Sequence, residues 1–155
     1  MSARPDPGGR AGPRATPAAL DRLVDWYEAL SPQTLERIAE FYAHDARFKD
    51  PFNDVTGRTA IRRVFAHMFE TTEAPRFRIA SRLAGEREAF VTWTFTFRAA
   101  RRDFEIRGAT QLLFDARGKV IVHRDYWDAA EELYAKLPLI GALLRWLGRR
   151  FAAPE

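Results

Sequence analysis

Two acidic positions in this sequence have surroundings suited to acid–base chemistry, and Asp50 is the first. Asp50 precedes Pro51 and lies between two amphipathic segments, residues 35–42 and residues 57–65. A turn fixed by proline between two helices would aim the carboxylate into the space that the helices cover. We expect Asp50 to act there as a general base, a role that requires an apolar neighbourhood. In the alternative, Asp50 caps the turn at Pro51 or pairs with Arg58.

The second acidic position is Asp125, two residues after His123. Because side chains alternate along a strand, one face would carry Ile121, His123, Asp125 and Trp127. An imidazole beside a carboxylate can exchange protons near neutral pH. Residues two apart on a strand face are about 7 Å apart, so a hydrogen bond requires that the two side chains lean together. In the alternative, His123 lies at a strand end and Asp125 pairs with Arg124 or Arg107.

Helical spacing of apolar residues predicts three helices before any long strand. The first helix starts at Pro17, the second carries Leu35 to Tyr42, and the third carries Ile61 to Phe69. Residues 1–17 are rich in Pro, Gly and Arg, a composition typical of a disordered tail. These helices would cover the space next to Asp50.

The period then changes to that of strands. Residues 90–97 alternate aromatic side chains with threonine, which is a strong strand pattern. Three further strands are predicted over residues 76–83, 104–114 and 119–127. Helices followed by a meander of strands indicate an α+β fold, with helices packed on one face of an antiparallel sheet.

The composition excludes several classes of function. The chain has no cysteine, so disulfides and thiolate catalysis are excluded, and its three histidines form no His-x-x-x-His pair for a metal. The 25 basic residues are spread along the chain and give a net charge of only +4, so nucleic-acid binding is not indicated. No apolar run has transmembrane length and no secretory signal is recognisable, so we expect a cytoplasmic protein.

Helical spacing returns in a C-terminal extension, residues 129–155. Its segment from Leu139 to Phe151 is amphipathic and basic. Three interpretations stay open for this segment. It packs on the domain or across a dimer, it lies peripherally on the anionic inner face of a membrane with Trp146 near the headgroups, or it binds a partner protein.

The order of these features resembles the nuclear transport factor 2-like superfamily, in its SnoaL-like and ketosteroid isomerase-like branches. The resemblance covers residues 18–128. The motifs that carry it are Phe41 to Ala46, Asp50-Pro51, Gly57 to Ile61 and Gly118 to Ile121. It implies a cone-shaped, curved antiparallel sheet around a pocket that helices close. It also places Asp50 at the position of the general base, Trp26 at that of a tyrosine donor and Thr110 at that of a protonated acid.

The resemblance further implies which side chains line the pocket. The expected ligand-binding residues are Trp26, Val64, Met68, Trp93, Phe95, Phe97, Thr110, Leu112 and Trp127. The expected catalytic residues are Asp50, His123 and Asp125. Thr92, Thr94 and Thr96 would then face outward, where a second sheet could cover them in a homodimer.

We therefore expect an enzyme that acts on a small apolar carbonyl or hydroxyl compound by isomerisation, cyclisation or dehydration. Asp50 would be the base, with His123 and Asp125 assisting, and neither a metal nor an organic cofactor is expected. One alternative is a non-catalytic binding protein for a hydrophobic ligand, held at a membrane by the C-terminal helix. Another is a scaffold module that dimerises through its threonine-rich face. The fold alone does not choose among these functions.

Overall fold

A computed structural model describes residues 17–134 of the 155-residue chain. Its helices are α1 (Pro17–Glu28), α2 (Ile38–Phe41), α3 (Arg58–Thr71) and α4 (Ala129–Glu132), and a 3₁₀ turn covers Thr34–Arg37. Its strands are β1 (Tyr42–Lys49), β2 (Asp54–Thr56), β3 (Glu73–Ala84), β4 (Glu88–Ala99), β5 (Arg102–Phe114) and β6 (Val120–Tyr126). The tail before Pro17 and the segment from Leu139 to Phe151 lie outside the described residues, so their interpretations stay predictions.

The six strands form one curved, unclosed sheet in the order β2-β1-β6-β5-β4-β3. Neighbouring strands are antiparallel except β1 and β6, which run parallel. The pairing of β4 with β5 is continuous from Glu88 opposite Leu113 to Ala99 opposite Arg102. This long hairpin fixes which side chains share the inner face. The predicted α+β fold with a curved sheet and covering helices is confirmed.

The strand pattern located the long strands well, whereas the second helix needs correction. The predicted strands at 76–83, 90–97 and 104–114 lie within β3, β4 and β5. In place of one helix from Leu35 to Tyr42, the chain forms the 3₁₀ turn, the single turn of α2 and the start of β1. Tyr42 pairs with Val120 of β6, so a tertiary strand pairing overrides the helical spacing there.

The core lies between the helices and one face of the sheet. Helix α1 packs on β3, and α3 packs on β1. Leu20, Leu23 and Val24 of α1 are buried, because residues three and four apart share one side of a helix. On β4, Trp93 is buried on the core face, whereas Thr92 is exposed on the opposite face. The homodimer expected through that outer face stays a prediction.

The helices of the described region are short. None of those in residues 17–134 is long and apolar enough to span a membrane.

Candidate functional site

A cavity of about 260 Å³ lies between α3 and the inner face of the sheet. Its walls are mainly apolar, and the aromatic side chains among them are Phe48, Phe52, Phe65, Phe77, Trp93, Phe95, Phe97 and Trp127. The rings of Phe77, Phe95 and Phe97 form a stacked series, with successive centroids 4.4 and 5.0 Å apart. Asp50 and Asp125 are the two carboxylates of the lining. Apolar walls with a few polar groups are typical of a small-molecule site.

Asp125 of β6 is hydrogen-bonded to His123 of the same strand. The distance from His123 Nε2 to Asp125 Oδ1 is 2.8 Å, so the two side chains lean together as a direct hydrogen bond requires. The side chain of His123 is 4% exposed and that of Asp125 is 16% exposed. The arginines considered as partners for Asp125 lie elsewhere: Arg107 pairs with Glu105, and Arg124 lies over the Tyr126 ring.

Two buried tyrosines meet the other nitrogen of the His123 ring. The hydroxyls of Tyr27 and Tyr42 lie 2.8 and 2.7 Å from Nδ1 and are hydrogen-bonded to each other. One tyrosine hydroxyl donates to the hydroxyl of the other tyrosine, and the second hydroxyl then needs an acceptor of its own. Nδ1 of His123 is that acceptor, so Nδ1 carries no hydrogen. The proton of the neutral ring is then on Nε2, from which it is donated to Asp125.

Burial keeps both tyrosines protonated. Desolvation raises the pKa of Tyr27 well above its ordinary value, and the contact with Tyr42 and the charge of Asp125 raise it further. The pKa of Tyr42 is also raised, mainly by burial, although its hydrogen bond to Tyr27 opposes the shift. Both hydroxyls therefore stay donors at neutral pH, as the orientation of His123 requires.

A second chain of hydrogen bonds reaches the same oxygen of Asp125. The indole Nε1 of Trp93 donates to Thr110 Oγ1 at 2.7 Å, and that hydroxyl donates to Asp125 Oδ1 at 2.5 Å. Because the indole is only a donor, the single hydroxyl hydrogen of Thr110 is free to point at the carboxylate. Thr110 lies directly opposite Asp125 in the pairing of β5 with β6, which explains the short reach.

Gly108 leaves space for the Trp93 ring, which starts this series of hydrogen bonds. It lies opposite Trp93 in the pairing of β4 with β5, and the indole lies over it. A Cβ at this position would come within 2.5 Å of two indole carbons and 3.0 Å of the Tyr126 carbonyl oxygen. A side chain here would displace the ring that donates to Thr110.

Asp125 is thus bound on one oxygen only. Oδ1 accepts from His123 and Thr110, and Oδ2 has no hydrogen-bond partner within residues 17–134. Asp125 lines the cavity, and Oδ2 is its oxygen without a partner among the described residues. Donors on one oxygen hold the carboxylate in a defined orientation and leave the other oxygen open.

Asp50 is held differently, by the turn that it closes. Its Oδ1 accepts from the backbone N–H groups of Phe52 and Asn53 at 2.7 and 2.6 Å. The Asn53 side-chain amide donates to Oδ1 and Oδ2 at 3.1 and 3.0 Å, and the Asp50 N–H donates to the Asn53 carbonyl. The structure therefore places Asp50 at the cavity while giving its carboxylate the turn-capping contacts that we considered as the alternative.

The structure divides the remaining expected ligand-binding residues into two groups. The cavity is lined by Val64, Met68, Trp93, Phe95, Phe97 and Trp127. Thr110 and Leu112 do not line it. Both are buried, and Thr110 reaches the site only through Asp125.

Trp26 also lies outside this cavity, and its expected role as a donor to a ligand stays a prediction. Its indole donates to the Thr34 carbonyl at 2.8 Å and stacks on Phe41. Adjacent residues on a helix point about 100° apart, so Tyr27 rather than Trp26 faces His123. The helix therefore does supply a tyrosine to the network, one position later than the spacing predicted.

Sequence reasoning did not identify Tyr27 and Tyr42 as members of this hydrogen-bond network. The available signal was the hydroxyl itself, because a buried tyrosine usually has a hydrogen-bond partner. The partner, His123, is 96 residues from Tyr27 and 81 from Tyr42 along the chain. Local spacing could not have paired them.

The described residues offer no ready metal site. In residues 17–134, no group of three or more His, Asp or Glu side chains is arranged to hold an ion.

Comparison with known proteins places this architecture in a class. A curved sheet with helices over an inner cavity is the nuclear transport factor 2-like fold, and several solved structures share it. A protein with a ketosteroid isomerase-like fold from Catenulispora acidiphila DSM 44928, solved with trimethylamine, has a TM-score of 0.66 and 18% identity over 79% of this chain and 95% of its own. An NTF2-like protein from Burkholderia pseudomallei K96243 has a TM-score of 0.65 and 17% identity over 73% and 92%.

A third similar structure is the epoxide hydrolase/cyclase-like enzyme SalBIII. It has a TM-score of 0.62 and 16% identity over 72% of this chain and 91% of its own. The family model of the SnoaL-like domain matches residues 23–123. The chain belongs to this family, as its sequence motifs predicted. No curated protein matches the chain.

Proposed function

We propose that the protein is an acid–base enzyme that isomerises, cyclises or dehydrates a small apolar carbonyl or hydroxyl compound in this cavity, with Asp125 as the general base. The observation that carries the proposal is the arrangement of Asp125, with two donors on Oδ1 and no partner on Oδ2 within the described region. Such a carboxylate is oriented before the substrate arrives, which is what efficient proton transfer requires.

Each buried partner has a place in the proposed mechanism. Asp125 Oδ2 takes a proton from a carbon beside the carbonyl and returns it to another carbon or to a departing hydroxyl. His123 and Thr110 hold Oδ1, while Tyr27 and Tyr42 keep the His123 ring in the tautomer that donates to Asp125. A positioned general base contributes about 10²- to 10⁴-fold to a rate.

The proposal moves the base from Asp50 to Asp125 and keeps Asp50 as the second carboxylate of the lining. Asp50 accepts four hydrogen bonds from groups within three residues, so its geometry serves the turn. The fold of SalBIII, an epoxide hydrolase/cyclase-like enzyme linked with pyran ring formation, is compatible with this reaction class.

A carbon acid that needs no natural substrate tests the proposal. A nitrobenzisoxazole opens to a coloured cyanophenolate when a base removes its ring proton, so its turnover reports a base in an apolar cavity. We expect the wild-type protein to turn it over well above acetate in solution, and Asp125→Asn to lose at least about 100-fold. The matched control is Asp103→Asn, the same change at a carboxylate with a 90% exposed side chain.

The control must keep wild-type turnover, and circular dichroism must show that both variants are folded. Turnover by Asp125→Asn within threefold of the wild type would remove Asp125 from the base role.

The second candidate is a binding protein without chemistry, favoured by the mainly apolar cavity wall. In that case, nitrobenzisoxazole would bind and quench the fluorescence of Trp93 or Trp127, but it would not be turned over faster than by acetate. The same assay therefore separates the two candidates.

A further inference from the structure

The lining of the cavity contrasts with the charge of the whole chain. Lys and Arg make up 25 of the 155 residues, and the net charge is +4. The cavity has the opposite character: its described lining includes Asp50 and Asp125 but no Lys or Arg. The imidazole of His67 also lines it, but this side chain is 74% exposed and lies 3.7 Å from Glu70. The described lining of this cavity therefore carries two carboxylates and no Lys or Arg side chain.

The hydrogen-bond donors of the lining are also directed away from a ligand. The Thr71 and Thr72 hydroxyls donate to the backbone carbonyls of His67 and Met68. The Asn53 amide donates to Asp50, and the indole N–H of Trp93 donates to Thr110. These four side chains leave few donors for an oxyanion or an anionic ligand. The cavity is rich in acceptors instead.

The aromatic walls provide a second, independent attraction for positive charge. The faces of aromatic rings are electron-rich, and cages of such rings bind quaternary ammonium groups. Around this cavity, several aromatic side chains contribute to the lining, among them Trp127, which packs against Phe52 with ring centroids 5.4 Å apart. Carboxylates and aromatic rings together favour a ligand that combines a positive charge with apolar substituents.

We propose that the cavity binds an organic cation, an ammonium-type nitrogen on a small apolar skeleton. This organic cation is the substrate class of the proposed enzyme, and the proposal rests on the proposed function, which takes this cavity as the substrate site. A ligand of this class also brings a positive charge, which no Lys or Arg of the described lining provides. When Asp125 takes a proton from a carbon beside a carbonyl, the electron pair left behind forms an enolate. A cationic nitrogen on the same molecule stabilises that charge until the proton returns to another carbon.

A pair of probes with the same shape tests the charge preference. Benzyltrimethylammonium carries a quaternary nitrogen, and neopentylbenzene has carbon in its place and no charge. Binding is measured by calorimetry and by the fluorescence of Trp93 and Trp127, which line the cavity. We expect the cation to bind at least tenfold more tightly than the hydrocarbon.

Variants locate the preference within the cavity. Asp125→Asn and Asp50→Asn should each reduce the preference for the cation at least threefold, because an amide keeps the shape and removes the charge. Trp127→Leu should weaken binding of the cation more than binding of the hydrocarbon. Asp103→Asn, at an exposed carboxylate outside the cavity, should keep the wild-type preference.

Equal or tighter binding of the hydrocarbon would overturn the proposal, as would failure of both probes to bind. Turnover of the uncharged nitrobenzisoxazole distinguishes failure of the proposed ligand class from failure of the proposed function. Turnover of that substrate without a cation preference contradicts only the ligand class. A cation preference without turnover contradicts only the catalytic assignment and supports the ligand class.

Discussion

Two carboxylates line one cavity, and the chain holds them in different ways. Every hydrogen bond to the Asp50 side chain comes from Phe52 or Asn53, so the loop could form these contacts wherever it was placed. Asp125 depends on Thr110 across the sheet and on His123, which in turn depends on Tyr27 and Tyr42. A carboxylate committed to local amides stabilises a turn, whereas one bound on a single oxygen by distant groups keeps the other oxygen for a ligand.

The largest effect on stability is expected at Gly108, which leaves space for the Trp93 ring in the network that holds Asp125. Gly108→Ala places a methyl group 2.5 Å from the Trp93 ring and 3.0 Å from the Tyr126 carbonyl. Overpacking of this kind should reduce the free energy of unfolding by about 1–3 kcal/mol. The ring that donates to Thr110 should shift, so turnover of the nitrobenzisoxazole should also fall.

The measurement combines urea unfolding with the turnover assay. Gly85→Ala is a useful reference, because its Cβ would meet only the Glu88 carbonyl, at 3.3 Å, far from the cavity. Wild-type stability and turnover in Gly108→Ala would show that the Trp93 position does not depend on this glycine.

The two buried tyrosines that support Asp125 through His123 should make stability depend on alkaline pH. Folding raises the pKa of Tyr27 and Tyr42 above the unfolded value of about 10. The folded state therefore keeps protons that the unfolded state loses above about pH 10. The stability that these groups contribute is complete below that pH and falls as the pH rises further.

Unfolding midpoints at about pH 8 and about pH 11 measure this slope. Tyr42→Phe removes one titrating hydroxyl and should reduce the alkaline loss of stability, at a cost of about 1 kcal/mol at neutral pH. If the stability of Tyr42→Phe falls between these pH values as steeply as that of the wild type, the alkaline loss of stability does not come from the buried tyrosines.

The smallest expected effect is in the Asp50 loop. Asn53→Ala removes the amide that donates to both Asp50 oxygens but leaves the backbone donors of the turn. Because the loop is partly exposed, water can replace the lost contacts, and stability should fall by about 1 kcal/mol or less. Turnover should stay within a few-fold of wild type. A loss comparable with that of Asp125→Asn would mean that the loop positions a reacting group.

The strand pattern and the shared face of His123 and Asp125 could be predicted from the sequence, because both follow from a period of two. The two tyrosines could not be placed, since they meet at His123 of β6, which lies 96 residues after Tyr27 and 81 residues after Tyr42 in the chain. The sequence also left Asp50 with two interpretations. The choice between them depended on the Asn53 amide, whose direction is set by the folded loop.

The period of three to four residues was informative for α1 and α3 but failed at Tyr42. That residue continues the apolar spacing of the preceding turn, yet it pairs with Val120 of a distant strand. Tertiary pairing of this kind is not visible in local spacing. The same pairing brings the Tyr42 hydroxyl to His123, so the error in the helix boundary and the missed functional residue have one cause.

The most direct test of the account compares Asp125→Asn with Asp50→Asn in the nitrobenzisoxazole assay, with folding checked by circular dichroism. We expect the Asp125 variant to lose at least about 100-fold in turnover and the Asp50 variant to lose less than about tenfold. A larger loss in the Asp50 variant than in the Asp125 variant would contradict the account and return the base to the loop.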